Sequence, residues 1–221
     1  MRKSSAAAFT LLEMMTVIVI VVILTGLVLN IAGHVIQKGN RERARGEIKM
    51  LELACENYKA DNGTFPRDIP ATGTSVTDVL SPKSHFDPNA SNYKEASLFL
   101  YKELTGDKTG SSSSKPDGVP DEGEKRYLKE FDPRILGATR DKTTKKIIEV
   151  NGFQDPFGFP YGYSTAAAKA EEDFQRSLRT NPSATRPTGA AVPGFNSGSA
   201  DLWSTAGGTT PGDVPKWEKN W

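Results

Sequence analysis

An α+β fold, in which one long N-terminal α-helix packs on a small C-terminal antiparallel β-sheet, follows from three features of the sequence. Met14 to Gln37 forms a run of 24 residues without Asp, Glu, Lys or Arg. Beyond it Ala44, Ile48, Leu51, Cys55 and Tyr58 recur at three- or four-residue spacing between charged residues, one face of an amphipathic helix. Much later, Ile147-Ile148-Glu149-Val150 and Tyr161-Gly162-Tyr163 read as strands bounded by Gly and Pro turns.

The helix has a legible length. No proline occurs from Met1 to Thr64, and Asp61-Asn62-Gly63 followed by Pro66 reads as a left-handed C-cap and a stop. A helix from about Phe9 to Ala60 is roughly 78 Å long at 1.5 Å per residue. Its uncharged half is long enough to cross a bilayer core, which takes roughly 20 apolar residues. The mean hydropathy of −0.47 conceals this segment because the rest of the chain is polar. Arg2 and Lys3 at the start orient a single-pass protein with its N-terminus cytoplasmic and the rest beyond the membrane. The small residues Ala6-Ala7-Ala8 precede the apolar run, whereas an ordinary secretory signal has its cleavage site after that run.

Glu13 is the one carboxylate between Ser4 and Gln37. Ionised at bilayer depth it costs roughly 2.5 kcal/mol or more, so it needs an interfacial position or a cation. One alternative is a snorkelling glutamate helped by the positive end of its helix. The other is pairing with an amine, which a cut between Ala8 and Phe9 would create.

At these residues the sequence resembles the type IV pilin and type II secretion pseudopilin superfamily. The short basic leader, Ala8, and Phe9-Thr10-Leu11-Leu12-Glu13 opening an apolar helix carry the resemblance. It implies cleavage between Ala8 and Phe9 by a prepilin peptidase, N-methylation of Phe9, and pairing of Glu13 with the N-terminal amine of a neighbouring subunit. Ala8 stands where the family usually has Gly. Tyr58-Lys59-Ala60-Asp61-Asn62-Gly63-Thr64-Phe65-Pro66, the run Asp155-Pro156-Phe157-Gly158-Phe159-Pro160-Tyr161-Gly162-Tyr163, and Ser199-Ala200-Asp201-Leu202-Trp203-Ser204 with Gly207-Gly208 resemble the major pseudopilins of type II secretion most closely.

The expected organisation is a leader at 1–8, a transmembrane or filament-core helix at 9–37, its amphipathic half at 38–62, and a pilin-like periplasmic domain at 63–221. Insertions are expected at about 67–150 and 166–198. The first holds a helix over about Tyr93 to Leu104 and decorates the filament surface. The second holds a short helix over Ala166 to Leu178 and an extended Pro-, Gly-, Ser- and Thr-rich loop from Thr180 to Gly198. Gly26, Gly33, Gly39 and Gly46 each cost about 1 kcal/mol in a helix interior. Close packing of neighbouring helices accounts for them, or, as the resemblance suggests, Gly26 marks where the helix melts on leaving the bilayer.

Candidate calcium ligands are Asp107, Asp117 and Asp121 in an acidic Gly- and Ser-rich loop. The resemblance points to a second set, Asp201, Ser204 and Asp213, after the last strand. The balance of 28 Lys and Arg against 27 Asp and Glu gives no reason to expect nucleic acid. The two histidines, His34 and His85, form no zinc cluster, and the lone Cys55 lies on the helix stripe as a small buried hydrophobe without disulfide partner or base.

Function is therefore expected to be structural and not enzymatic: a homopolymer through the N-terminal helix, served by prepilin peptidase, an inner-membrane assembly platform and minor pseudopilins. A type IV pilin for adhesion, motility or DNA uptake is the nearest alternative. A signal-anchored periplasmic binding or enzymatic domain is the alternative from another class.

Overall fold

The computed structural model describes residues 10–69, 74–110, 115–188 and 192–221, except the side chains of 27–32. One helix, α1, runs from Leu11 to Asn62. It ends as the sequence predicts: Gly63 takes φ +79° and donates its N–H to the Lys59 carbonyl at 2.7 Å. The chain divides into two compact units, Met1–Asn40 and Arg41–Trp221.

In the first unit, helix α1 is continuous through Gly26 and carries its apolar side chains in the open. Leu11 is 78 % exposed and Leu12 74 %, and every large apolar residue from Met14 to Leu24 is exposed. Thr16 and Thr25 hide their hydroxyls by donating to the Leu12 and Val21 carbonyls at 3.0 and 2.7 Å, leaving no unpaired side-chain donor on this stretch. Among the described residues no helix is long and apolar enough to cross a membrane. The span expected from the sequence also draws on 27–32, whose side chains lie outside them.

In the second unit the other half of α1 buries Ala44, Ile48, Leu51, Ala54 and Cys55, with Tyr58 packed at the edge. The rest of the unit is α2 (Val76–Val79), α3 (Ser91–Thr105), β1 (Leu136–Arg140), β2 (Ile147–Phe153), β3 (Gly162–Ser164), α4 (Ala166–Thr180), β4 (Asp201–Ser204) and β5 (Glu218–Lys219). Helix α3 buries Tyr93, Ala96, Ser97, Leu100, Tyr101 and Leu104, and Gly106 closes it at φ +74°. Strand β2 lies against α3 so closely that a Cβ at Gly152 would come within 2.8 Å of the Leu98 backbone nitrogen.

The segment 67–150, expected as an insertion on the filament surface, also builds the core of the unit. It supplies Leu100, Tyr101, Leu104, Leu128, Ile135 and Val150 to the same cluster as Ile48 and Leu51 of α1, because its helix and hairpin carry apolar faces that must be covered. The expected single sheet is two: β1 pairs antiparallel with β2, and β3–β4–β5 form a separate antiparallel sheet.

The second sheet is tied to α1 by charge. Glu218 of β5, 4 % exposed, receives Arg41 Nη1 at 3.0 Å and Arg45 Nε at 2.6 Å. Two charged donors offset the desolvation of the carboxylate. Helix α4 buries only its Ala166-Ala167-Ala168 start, and the chain from Asn181 to Ala200 has no regular element among its described residues.

Candidate functional site

Ala8 and Phe9, the expected cleavage pair, lie outside the described residues. Glu13 lies within them, at the start of α1. Thr10 donates its backbone N–H and its hydroxyl to Glu13 Oε2, each at 2.9 Å, while the Glu13 N–H donates to Thr10 Oγ1 at 3.2 Å. This is a reciprocal capping box over the first turn of α1. Thr10-Leu11-Leu12-Glu13 has the spacing that signals it in the sequence. The box satisfies orphan N–H groups at the helix start and fixes the carboxylate beside the N-terminus. Beyond this turn the apolar side chains of Leu11 to Leu24 are exposed around the whole helix, a cylinder that water solvates poorly.

The Asp155-Pro156-Phe157-Gly158-Phe159 turn has a clear physical basis. Asp155 is buried, and its Oδ1 accepts the N–H groups of Phe157 and Phe159 at 3.0 and 2.9 Å, while Ser204 donates its hydroxyl to Oδ2. Gly158 sits at φ +92°, where a side chain would strain the backbone. Burial raises the Asp155 pKa, and these hydrogen bonds work against that rise. The turn thereby links β3 to β4 and delivers Tyr161 to α1 and Tyr163 to the segment just beyond it: Tyr161 donates to Glu47 Oε2 and Tyr163 to the Pro66 carbonyl, both at 2.6 Å. Arg43 Nε holds the other Glu47 oxygen at 2.6 Å. Tyr161→Phe leaves buried Glu47 short of a donor and is expected to cost about 2 kcal/mol in denaturant unfolding of the detergent-solubilised chain; an unchanged midpoint would remove this bond from the stability argument.

Neither candidate calcium set is assembled. Asp107 is buried and accepts the Tyr101 hydroxyl at 2.5 Å and the Gly118 N–H at 2.7 Å. Asp121 accepts the N–H groups of Lys108 and Thr109, each at 3.0 Å, and Asp117 accepts the Val119 N–H. These carboxylates fold their own loop instead of converging on a cation. Of the second set, Asp201 accepts the Phe195 and Asn196 N–H groups, Ser204 donates to Asp155, and Asp213 pairs with Thr210 and Lys216. Among the described residues no three His, Cys, Asp or Glu are grouped to hold a metal ion.

His85 Nδ1 accepts the Ser81 N–H at 3.2 Å and lies 3.0 Å from Ser84 Oγ, an arrangement that organises a turn. Cys55 is buried, and desolvation pushes its thiol pKa up, so the reactive thiolate is suppressed.

Curated proteins similar to this chain share one name, type II secretion system core protein G. The Klebsiella michiganensis protein is 45% identical over 96 residues, 43% of this chain and 63% of its own length. The Aeromonas hydrophila protein is 37% identical over 91 residues, 39% of this chain and 63% of its own. The Klebsiella pneumoniae protein is 33% identical over 129 residues, 51% of this chain and 86% of its own. The chain thus spans less than two thirds of the first two relatives' length. No family model matches the chain, and no solved structure matches it.

Proposed function

The chain belongs to the family of the type II secretion system core proteins G, and from that premise we propose that it is a structural pseudopilin subunit which polymerises into the periplasmic pseudopilus. The observation that carries this reading is the exposed apolar stretch from Leu11 to Leu24. Before assembly the uncharged run of the sequence keeps it in the inner membrane as a single pass, N-terminus cytoplasmic and C-terminal domain periplasmic. On leaving lipid it must find another apolar environment, and a bundle of identical helices supplies one. The polar domain then faces water.

Prepilin peptidase cuts between Ala8 and Phe9, and Phe9 becomes the methylated N-terminus. The capping box holds Glu13 at the helix start with Oε2 on Thr10, and this supports pairing of the carboxylate with the amine of a neighbouring copy. That ion pair offsets burial of Glu13 in the filament and sets the axial register. An inner-membrane assembly platform and minor pseudopilins complete the partner set.

N-terminal sequencing and intact mass of the mature protein test the processing step, and a start at methylated Phe9 is expected. A mature chain retaining Met1 would favour a tethered periplasmic domain instead. Glu13→Ala is expected to abolish filaments while leaving the folded domain intact. Wild-type filament yield from that variant would take Glu13 out of the mechanism.

A further inference from the structure

The turn joining β1 to β2 carries a strongly charged tip. Arg140, Lys142, Lys145 and Lys146 are all exposed, and none has an ion-pair partner among the described residues. The one acid in the turn, Asp141, is spent on its backbone. Its Oδ1 accepts the Thr143 N–H at 2.9 Å, the Thr144 N–H at 2.6 Å and the Thr144 hydroxyl at 2.9 Å. The Asp141 N–H and carbonyl close the turn on Lys146 and Lys145 at 2.8 and 3.0 Å. Lys145 is held at φ +59°, a conformation that favours Gly, so this turn keeps a lysine at some cost. The cations are therefore displayed on a fixed frame and are not part of a loose solvated loop.

An acidic segment lies at the same end of the domain. The Asp121 N–H donates to the Gly106 carbonyl at the end of α3, and Gly118 lies beside Ile147 at the start of β2. Asp121, Glu122 and Glu124 fall within four residues; among the described residues Glu124 has a cation, Lys108 at 2.8 Å, and Asp121 accepts the N–H groups of Lys108 and Thr109. Among the described residues no ion pair joins this loop to the hairpin tip. The tip thus shows four cations and the acidic segment keeps Asp121 and Glu122 without a cation among the described residues, opposite signs of the kind that a heterologous contact repeated from copy to copy can pair.

We propose that the β1–β2 hairpin tip is an inter-subunit contact, with Arg140, Lys142, Lys145 and Lys146 of one copy set against Asp121, Glu122 and Glu124 of its neighbour. It rests on the reading of the chain as a filament subunit and adds to the helix seam a polar contact that selects the neighbour's orientation, since like-charge juxtapositions are disfavoured. The contact distinguishes itself from the seam by salt. Exposed ion pairs are screened over about 8 Å at physiological ionic strength, whereas apolar burial is not weakened by salt.

The experiment uses full-length chains assembled into filaments. Lys142→Glu with Lys145→Glu and Lys146→Glu is expected to lower filament yield about tenfold, as is Glu122→Lys with Glu124→Lys, while the thermal transition of each stays at the wild-type position. Combining both sets restores the contact with reversed polarity and is expected to return the yield to within about twofold of wild type. In filaments otherwise wild type, chains carrying Lys142→Cys mixed with chains carrying Glu122→Cys are expected to give a disulfide-linked dimer that neither gives alone. Hairpin variants assembling at wild-type yield and salt dependence, a combined variant no better than its parents, or absence of that dimer would each overturn the contact. Wild-type chains that form no filament at all would overturn the subunit reading and the contact with it.

Discussion

Gly162→Ala is expected to destabilise the globular unit by about 3 kcal/mol or more, read as a lower denaturant midpoint at unchanged slope. Gly162 sits opposite Trp203 in the β3–β4 register. A Cβ built there would lie 2.1 Å from Trp203 Cε2 and within 2.5 Å of two further ring atoms. The ring cannot yield locally. Trp203 is fully buried, stacks on Trp217 at 6.2 Å with an interplanar angle of 8°, meets Tyr93 edge-on at 5.7 Å, and donates Nε1 to the Tyr93 hydroxyl at 3.0 Å. Moving it opens the second core cluster, where Leu80 and Ala96 also pack. Wild-type stability in the alanine variant would mean that the ring and the strand can part without cost. The smaller Trp203→Phe change paired with Gly162→Ala checks the cause, because removing the indole's second ring should recover part of the loss.

The same pair shows how far the sequence can be read. Tyr161-Gly162-Tyr163 announces a strand by its aromatic residues and its turn borders, whereas Asp201-Leu202-Trp203-Ser204 was expected as a strand from the family resemblance alone. Nothing local says that the bare glycine is the seat of an indole 41 positions away in the register Gly162↔Trp203. Helix α1 was legible throughout its length because its two signals, an uncharged run and a 3.6-residue stripe, are local, and so was its stop at Gly63. Helices α3 and α4 were legible for the same reason. The role of 67–150 was not. Whether Leu100 and Leu104 face a filament surface or the Leu51 stripe depends on contacts between distant segments, and only the fold decides it. In the acidic loop, carboxylates close together in sequence read as a cation site, while the fold shows each accepting backbone N–H groups, contacts between loop residues that the sequence does not mark. At Glu13 the local signal is the Thr10-to-Glu13 spacing of a capping box, which the rarity of a carboxylate in an apolar run outweighs.

Asp201→Asn is expected to change how stability depends on pH. Asp201 sits in β4 with no exposure, accepting the Phe195 N–H on Oδ2 and the Asn196 N–H on Oδ1, each at 2.9 Å. Desolvation is the larger influence and pushes its pKa up to about 6, against the lowering by those two N–H groups and Lys83. An unfolded Asp titrates near 3.9. Because the folded value lies above the unfolded one, the folded state binds the proton more tightly between these values. The stabilisation from this site is therefore complete below about pH 4 and is lost as pH rises through about 6, a change on the order of 3 kcal/mol. Asp132, held down to about 2 by Arg134, and Asp213, held down by Thr210 and Lys216, slope the other way, so the whole-chain curve does not isolate Asp201. The difference between wild type and Asp201→Asn does, since the asparagine cannot ionise and any cost of its altered hydrogen bonding is constant with pH. Unfolding free energies at several pH values between about 4 and 7 should converge or diverge by about 3 kcal/mol across that range; parallel curves would show that the carboxylate titrates alike in both states. The sign also bears on the segment Asp201 holds. In its ionised form the two N–H groups of Phe195 and Asn196 are what compensates a buried charge, so at neutral pH the loop before β4 is fastened by a carboxylate that burial disfavours.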